Sequence, residues 1–423
     1  MFRPPFIPYG RAIMTPSRNP FPCHYGWIIV ICGALTLFSC LGLARFAFGM
    51  LLPSMGAGLG LAYDQMGFVS TGNFAGYLTA VVVTPFLMQR LKPRLTIILG
   101  LALITLCMLA ISRCNSYLAV VVLYGLVGAG SGLANIPVMV LVSHWFRKER
   151  RGKAAGLMIM GNGSAIIFSG ILIPALNRAF GAEGWRTGWL ILGAISLAIV
   201  LIVAIFLRND PEELQLEPIG AKQPIAEQDI PPKKTVHPGR ILLQLGVLYH
   251  LFGATYVVYG TFIVTAMVSE YGFAEARAGM FWSWVGFFSI FSGVGFGMLS
   301  DRIGRRVGLM VVFSIQTLAY LLAGSGIGTP ALILSIVLYG ISAFAIPSIM
   351  AAAVGDYLGL TRAAGAFSTV TFFFAIGQTV GPGTAGVIAE RTGTFNTSFL
   401  FAAGLTILAV LVAAFLPKAN PEN

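Results

Sequence analysis

Apolar residues in this chain run in blocks of roughly 20, and short polar breaks separate the blocks. A run of that length crosses a hydrocarbon core of about 30 Å as α-helix. Strands of a membrane barrel would alternate apolar and polar residues, which runs such as 95–111 and 189–207 do not. The pattern predicts spans over 25–54, 62–88, 95–113, 117–143, 153–177 and 185–207. After a polar stretch come 241–269, 276–299, 307–325, 330–354, 363–389 and 395–416. The expected fold is an all-α polytopic membrane protein of 12 transmembrane helices, arranged as two six-helix bundles. Several spans exceed 25 residues, so tilt is expected, and Pro137, Pro174, Pro347 and Pro382 mark expected kinks.

The same pattern divides the chain into a tail (1–24), a first bundle (25–207), a linker (208–240), a second bundle (241–416) and a second tail (417–423). The first tail holds Arg3, Arg11 and Arg18 among prolines but no apolar h-region, so it reads as a disordered cytoplasmic segment rather than a cleaved signal. The linker, rich in Pro, Glu and Lys, reads as solvated and mobile.

Charge sets the orientation. With the N-terminus in the cytoplasm, twenty-one of the 27 Lys and Arg fall on cytoplasmic segments and five (Arg113, Arg178, Arg186, Arg277, Arg391) on outer loops. The positive-inside rule then places both termini in the cytoplasm, the membrane being the cell's inner (plasma) membrane. This bias accounts for most of the net charge of +12 without nucleic acid, and charged residues at 10% of the chain are too few to cover a water-facing surface. The five cysteines (Cys23, Cys32, Cys40, Cys107, Cys114) sit in or beside apolar runs without metal-ligand spacing and read as small apolar side chains.

The two halves echo each other. Gly42 and Gly49 bracket Arg45 as Gly253 and Gly260 bracket Tyr256. The stretch from Pro85 to Arg94 corresponds to the stretch from Gly297 to Arg306, and Lys153-Ala-Ala-Gly156 to Arg362-Ala-Ala-Gly365. All three pairs lie 209 to 212 residues apart. A duplicated bundle with a midplane site between the repeats is the architecture of many secondary transporters.

The stretch Gly297-x-x-x-Asp301-Arg302-x-Gly304-Arg305-Arg306 resembles the loop signature of the major facilitator superfamily (MFS), and the likeness extends over essentially the whole chain. The first-half copy departs from it, with Gln89 in place of the acid and Pro85 and Lys92 in place of glycines. More narrowly, Gly42-Leu-Ala-Arg45-Phe-Ala-Phe-Gly-Met-Leu-Leu-Pro53, followed by Asn73-Phe-Ala-Gly76-Tyr77-Leu78, is similar to the YbfB/YjiJ-like branch. The resemblance implies alternating access, with the loop signature as a conformational latch. Asp301 would accept hydrogen bonds at a helix N-terminus, and the arginines would engage carbonyl ends or anionic lipid heads.

Arg45 is the candidate for substrate chemistry. A cation within a span costs about 2.5–3.5 kcal/mol on insertion scales, so it is expected to face a bundle interior or a cavity. No Asp or Glu lies near the middle of any span, so no buried carboxylate partner is evident. Such an arginine either binds a substrate carboxylate or phosphate, or serves structurally through helix carbonyls or by snorkelling. Organophosphate antiporters of the superfamily place one arginine in the first helix, as here, and a second in the seventh, where this chain has Tyr256. That departure implies a monocarboxylate rather than a doubly charged phosphate ester. Monocarboxylate carriers, in turn, typically carry an arginine in the eighth span, which this chain lacks.

Asn73, Tyr124, Asn162, Tyr256 and Gln378 are further candidates for lining a substrate site, with helix stitching as the alternative for each. His250 is the candidate proton carrier because its ordinary pKa lies in the working range, against a structural role. Asp356 reads as a capping or loop charge, and the aromatic runs around Phe281–Phe288 and Phe372–Phe374 as pocket walls or as packing. The leading function is a gradient-driven carrier of a small organic anion, coupled to protons or exchange. Efflux of amphipathic drugs is the alternative, and a membrane sensor built on a carrier fold a third. Walker, HExxH and GxSxG patterns are absent, so no catalytic residue, cofactor or metal is expected. The expected partners are a small, anionic solute and the lipid bilayer, with the chain working as a monomer.

Overall fold

Leu106, Leu118 and Ile171 lie within helices and are each about two-thirds exposed, whereas Asn73, Gln316 and Gln378 are fully buried. This inversion of the usual pattern belongs to a multi-pass protein whose solvent is hydrocarbon, with polar groups turned inward to find partners. The computed structural model describes residues 23–220 and 238–417. The sequence expectations for Arg3, Arg11, Arg18, Lys222, Lys233, Lys234 and Lys418, and for the tails and linker segment that carry them, lie outside the described residues.

The first half comprises α1 (Gly26–Leu37), a π-helical stretch (Phe38–Phe46), α2 (Ala47–Leu59), α3 (Tyr63–Ile111), α4 (Tyr117–Trp145), α5 (Lys148–Phe180) and α6 (Gly184–Phe206). The second comprises α7 (Pro238–Ser269), α8 (Glu275–Ile303), α9 (Arg305–Gly324), α10 (Thr329–Ser342), α11 (Ala345–Leu358), α12 (Leu360–Thr392) and α13 (Phe395–Ala414). Among the described residues, ten continuous helical runs are long and apolar enough to cross a membrane. Two of these, 49 and 58 residues long, are more than twice the roughly 20 residues a crossing needs. The first is broken at Lys92 (φ 61°, ψ 163°), immediately before Pro93, and the second at the turn Gly181–Glu183. Each of these two runs is long enough for two crossings joined by a tight turn, the arrangement the sequence pattern predicts.

The four prolines expected to mark kinks all lie within helices. Pro137, Pro174 and Pro382 lie inside continuous helices. Pro347 alone of the four stands near a break, between α10 and α11, where the freed Phe344 N–H donates to Ser292 Oγ (3.2 Å).

The halves meet along three seams, α5 with α8, α3 with α12, and α2 with α7. Glycine allows the first to close: a Cβ at Gly279 would strike the Gly170 carbonyl across the seam. Polar contacts join the halves at the end distant from the chain termini. Asn177 Nδ2 donates to Glu275 (2.7 Å), Tyr63 N–H to Glu390 (2.9 Å) and Gly383 N–H to Thr71 Oγ1 (3.0 Å). The opposite, terminal end carries Tyr25 bonded to Phe206 O and Tyr357 bonded to Pro417 O. Toward it, a cavity of about 640 Å³ lies between the halves, with Gly152 and Ala351 at its exposed margin. The protein is closed at the distal end and open at the terminal one.

The segment expected to be a solvated linker is docked over its first part. Ile219 exchanges backbone hydrogen bonds with Trp145 and Arg147, and Leu214, Leu216 and Ile219 pack on the first-half core. Trp145 Nε1 donates to Arg208 O (3.2 Å), and His144 pairs with Asp210 (2.8 Å). Apolar residues spaced among the charges hold 208–220 to the helix ends despite its polar composition.

Candidate functional site

Arg45 is presented by the π-helical stretch Phe38–Phe46, where the Ala47 N–H reaches back to the Gly42 carbonyl in place of the α-helical partner. The wider turn displaces side chains from α-helical register, and such turns occur frequently at functional sites. The guanidinium carbon lies 4.6 Å from the ring centroids of both Phe74 and Tyr77, a double cation–π contact. Asn135 Nδ2 holds Tyr77 by donating to its hydroxyl (3.0 Å). Arg45 is half-buried and lines the large cavity, yet its Nε and Nη2 are buried and without hydrogen-bond partners. Leaving charged donors unsatisfied costs more than a typical hydrogen bond contributes, so this side chain is held in a state that favours taking an acceptor. A second void of about 10 Å³, the size of one water, touches Arg45, Ser70, Tyr124 and Thr261 on the distal side.

Tyr256 faces Arg45 from α7, its hydroxyl against the guanidinium. Gln378 Nε2 donates to the same hydroxyl, while Gln378 Oε1 is buried without a partner. Accepting from both groups, the Tyr256 O–H keeps its own proton for a further acceptor. From Tyr256 a pile of near-parallel rings runs along the cavity wall. Phe252 stacks on Tyr256 (4.8 Å), and Phe374 on Tyr249 (4.5 Å), with interplanar angles of 10° and 18°.

The other sequence candidates are distributed around this centre. Asn162 lines the cavity, with its Oδ1 unpartnered. Tyr124 borders only the small void and is packed against Phe48 (4.5 Å) and Trp189 (5.7 Å). Asn73, fully buried, donates to the Tyr124 carbonyl (3.0 Å), stitching α3 to α4. Gln378 reaches the site through Tyr256 rather than by lining the cavity. His250 stands at the α7–α12 seam, its Nδ1–H donating to the Phe373 carbonyl (3.1 Å), and is not among the cavity-lining residues. Phe74, Tyr77 and Asn135 are not among the site candidates read from the sequence. The spacing of Phe74 and Tyr77 on one helix face was available as a signal, but their meeting with Arg45 was not.

At the terminal end, Asp301 pairs with Arg305 (2.5 Å) rather than with a helix N-terminus, and Arg305 Nε bonds Asp356 (2.6 Å). Ser300 Oγ accepts from Arg305 Nη1 (2.7 Å). One guanidinium thus ties α8 and α11 through the first residue of α9. Gly304 supplies the turn at φ 85°, ψ 149°, a conformation that favours glycine. Gly297 lies against Ser348 on α11, where a side chain would crowd the hydroxyl. Arg302 is exposed and Arg306 partly so. Asp356, read from sequence as a cap or loop charge, is a full member of this cluster.

Relatives extend along nearly the whole chain. It is 25% identical to "Monocarboxylate transporter 11" of Homo sapiens, over 98% of this chain and 88% of that one. It is 23% identical to "Probable sulfoacetate transporter SauU" of Cupriavidus necator, over 85% and 86%. In fold it matches the crystal structure of a POT family transporter in complex with 5-aminolevulinic acid, with a TM-score of 0.74 at 14% identity, covering 94% of this chain and 97% of the other. The sequence profile of the family described as "Uncharacterised MFS-type transporter YbfB" matches residues 37–414, from the start of the π-helical stretch to the last crossing. With its helical bundle, internal duplication and loop signature, the chain belongs to that family of MFS transporters.

Proposed function

We propose that this protein is a secondary carrier of a small organic monoanion, working by alternating access in the inner membrane with both termini in the cytoplasm. The observation that carries the reading is the half-buried Arg45 guanidinium bordering the cavity with two unpartnered nitrogens. A carboxylate accepts from such donors in fork geometry once the side chain turns them toward the cavity, and binding would break no protein hydrogen bond at either nitrogen. The Tyr256 hydroxyl would contribute a third donor. Arg45 is the single charged side chain among the described residues lining the cavity, so one negative charge is neutralised and a second is not. The names of relatives, a monocarboxylate and a sulfoacetate transporter, are consistent with an organic anion.

In this reading the cavity is the cytoplasm-facing state, the distal contacts are the closed gate, and the two bundles rock about the bound anion. Asn162 and the Tyr256–Gln378 pair are site members. His250, held in a helix seam, has no direct route to the anion and is retained only as a packing residue. The ring pile would also suit an amphipathic cation, as the efflux alternative requires, but the guanidinium at the closed end of the cavity repels one. Counterflow uptake of a labelled monocarboxylate into proteoliposomes, for wild type and Arg45→Ala at matched abundance, tests the proposal. We expect uptake to fall at least about a hundredfold, the loss of two charge-assisted hydrogen bonds. Uptake within twofold of wild type would refute it.

A further inference from the structure

Resting on the anion-carrier reading, we propose that the substrate is a monoanion with an aromatic body, its carboxylate at Arg45 and its ring against the Tyr249–Phe252–Tyr256–Phe374 pile. Four observations carry this. First, the cavity of about 640 Å³ is far larger than formate, acetate or propionate, and falls in the range of sites that enclose molecules of about 10–20 heavy atoms. A two- or three-carbon acid bound at Arg45 would leave most of that volume as water against apolar walls.

Second, charge is confined to one corner. Among the described residues, Arg45 is the only ionised side chain on the cavity wall. A substrate with a second charge anywhere along its length would have to leave it unpaired in an apolar space.

Third, the rings begin at the cation. Tyr256 touches the guanidinium, Phe252 stacks on Tyr256 at 4.8 Å, and Phe374 lies 5.7 Å from Phe252 and 4.5 Å from Tyr249. Tyr249 is seven residues, or about 10 Å of helix, from Tyr256 along α7. Tyr249, Phe252 and Tyr256 are buried within the pile, and Phe374 is its partly exposed member, so the pile offers the cavity aromatic surface chiefly through Phe374, backed by the rings that lead to the anion site.

Fourth, the wall contributed by the first half and α8 offers aliphatic surface from Leu41, Met139, Ile159, Ile290 and Val294, beside the polar Asn135, Asn162 and Ser289. A flat body between a ring wall and an aliphatic wall is contacted on both faces, and aromatic pairs add to what area burial alone supplies.

Thermal unfolding of the purified full chain against four probes tests the inference: 3-phenylpropionate, propionate, 3-phenylpropionamide and phenylsuccinate. Stabilisation by mass action reports affinity for the folded state. We expect 3-phenylpropionate to reach half-effect at a concentration at least about tenfold below propionate, and the amide and the dianion both to fall behind it. Phe374→Leu removes the partly exposed ring and keeps an apolar side chain, and should weaken 3-phenylpropionate severalfold while leaving the propionate response unchanged. If propionate matches 3-phenylpropionate in wild type, the aromatic inference is overturned and the anion-carrier reading stands. If the amide equals the acid, or no anion stabilises the protein, both fall.

Discussion

The two halves of this transporter are copies that present different side chains to the cavity between them. In the first, the crossing that faces the cavity is interrupted by nine π-helical residues that present a cation. In the second, the matching crossing is an uninterrupted 32-residue helix that presents rings, with Tyr256 at the register position of Arg45. The loops at the terminal end diverge in parallel. Lys92 and Gly304 occupy equivalent positions and almost the same backbone conformation, φ 61°, ψ 163° against φ 85°, ψ 149°. The second loop uses Asp301, Arg305 and Asp356 to tie three helices. The first, lacking the acid, instead sends Arg94 Nη2 to the Ala204 carbonyl (2.6 Å) and its N–H to Asn209 Oδ1 (2.8 Å), fastening the loop to α6 and the docked segment after it. Backbone symmetry outlasts the side chains that first required it.

Erasing the central difference should have the largest effect. Tyr256→Arg places a second guanidinium opposite the first, beside the unpartnered Gln378 Oε1, which can accept from it. The expected result is a reversal of preference, with dianion uptake gaining and monoanion uptake losing about tenfold or more, measured as the ratio of rates in one preparation. An unchanged ratio at normal membrane abundance would mean that Tyr256 does not face the transported charge.

A smaller effect is expected from making the second loop like the first. Asp301→Asn removes one of the two acids on Arg305 while Asp356 remains. Uptake should fall about fivefold with normal insertion, as expected of a partly exposed ion pair worth about 1 kcal/mol. Wild-type uptake at equal abundance would show that the cluster anchors the loop without affecting the conformational cycle.

Making the first loop like the second should have the smallest effect, in the opposite direction. Lys92 holds a backbone conformation otherwise adopted by glycine, at a cost of about 1–3 kcal/mol. Lys92→Gly relieves this strain but loosens the unfolded chain, for a net gain of about 1 kcal/mol and a higher melting temperature. A lower melting temperature would show that the lysine side chain compensates for its backbone.

Much of this was legible in the sequence, because burial in a bilayer is a local property. Each expected span has a helix within a few residues of its bounds, Arg45 stands out as a charge inside an apolar run, and Tyr256 follows from the repeat. What sequence reading missed depends on elements meeting across space. The π-helical turn has no local signature in Phe38–Phe46, and the sandwiching of Arg45 by Phe74 and Tyr77 requires α3 to lie against it. Asp356 acquires its role only from Arg305, 51 residues away. Residues 208–220 read as polar linker because their few apolar side chains, Leu214, Leu216 and Ile219, are too sparse to signal docking.

The central claim is that Arg45 recognises the charge of the substrate, and a double-mutant cycle between ligand and protein tests it most directly. Affinities of 3-phenylpropionate and its uncharged amide would be measured for wild type and Arg45→Ala. If the guanidinium binds the carboxylate, the acid should lose at least about tenfold in affinity and the amide little, a coupling of about 1.5–3 kcal/mol. Equal losses for acid and amide would give zero coupling and assign Arg45 to the architecture of the bundle rather than to its cargo.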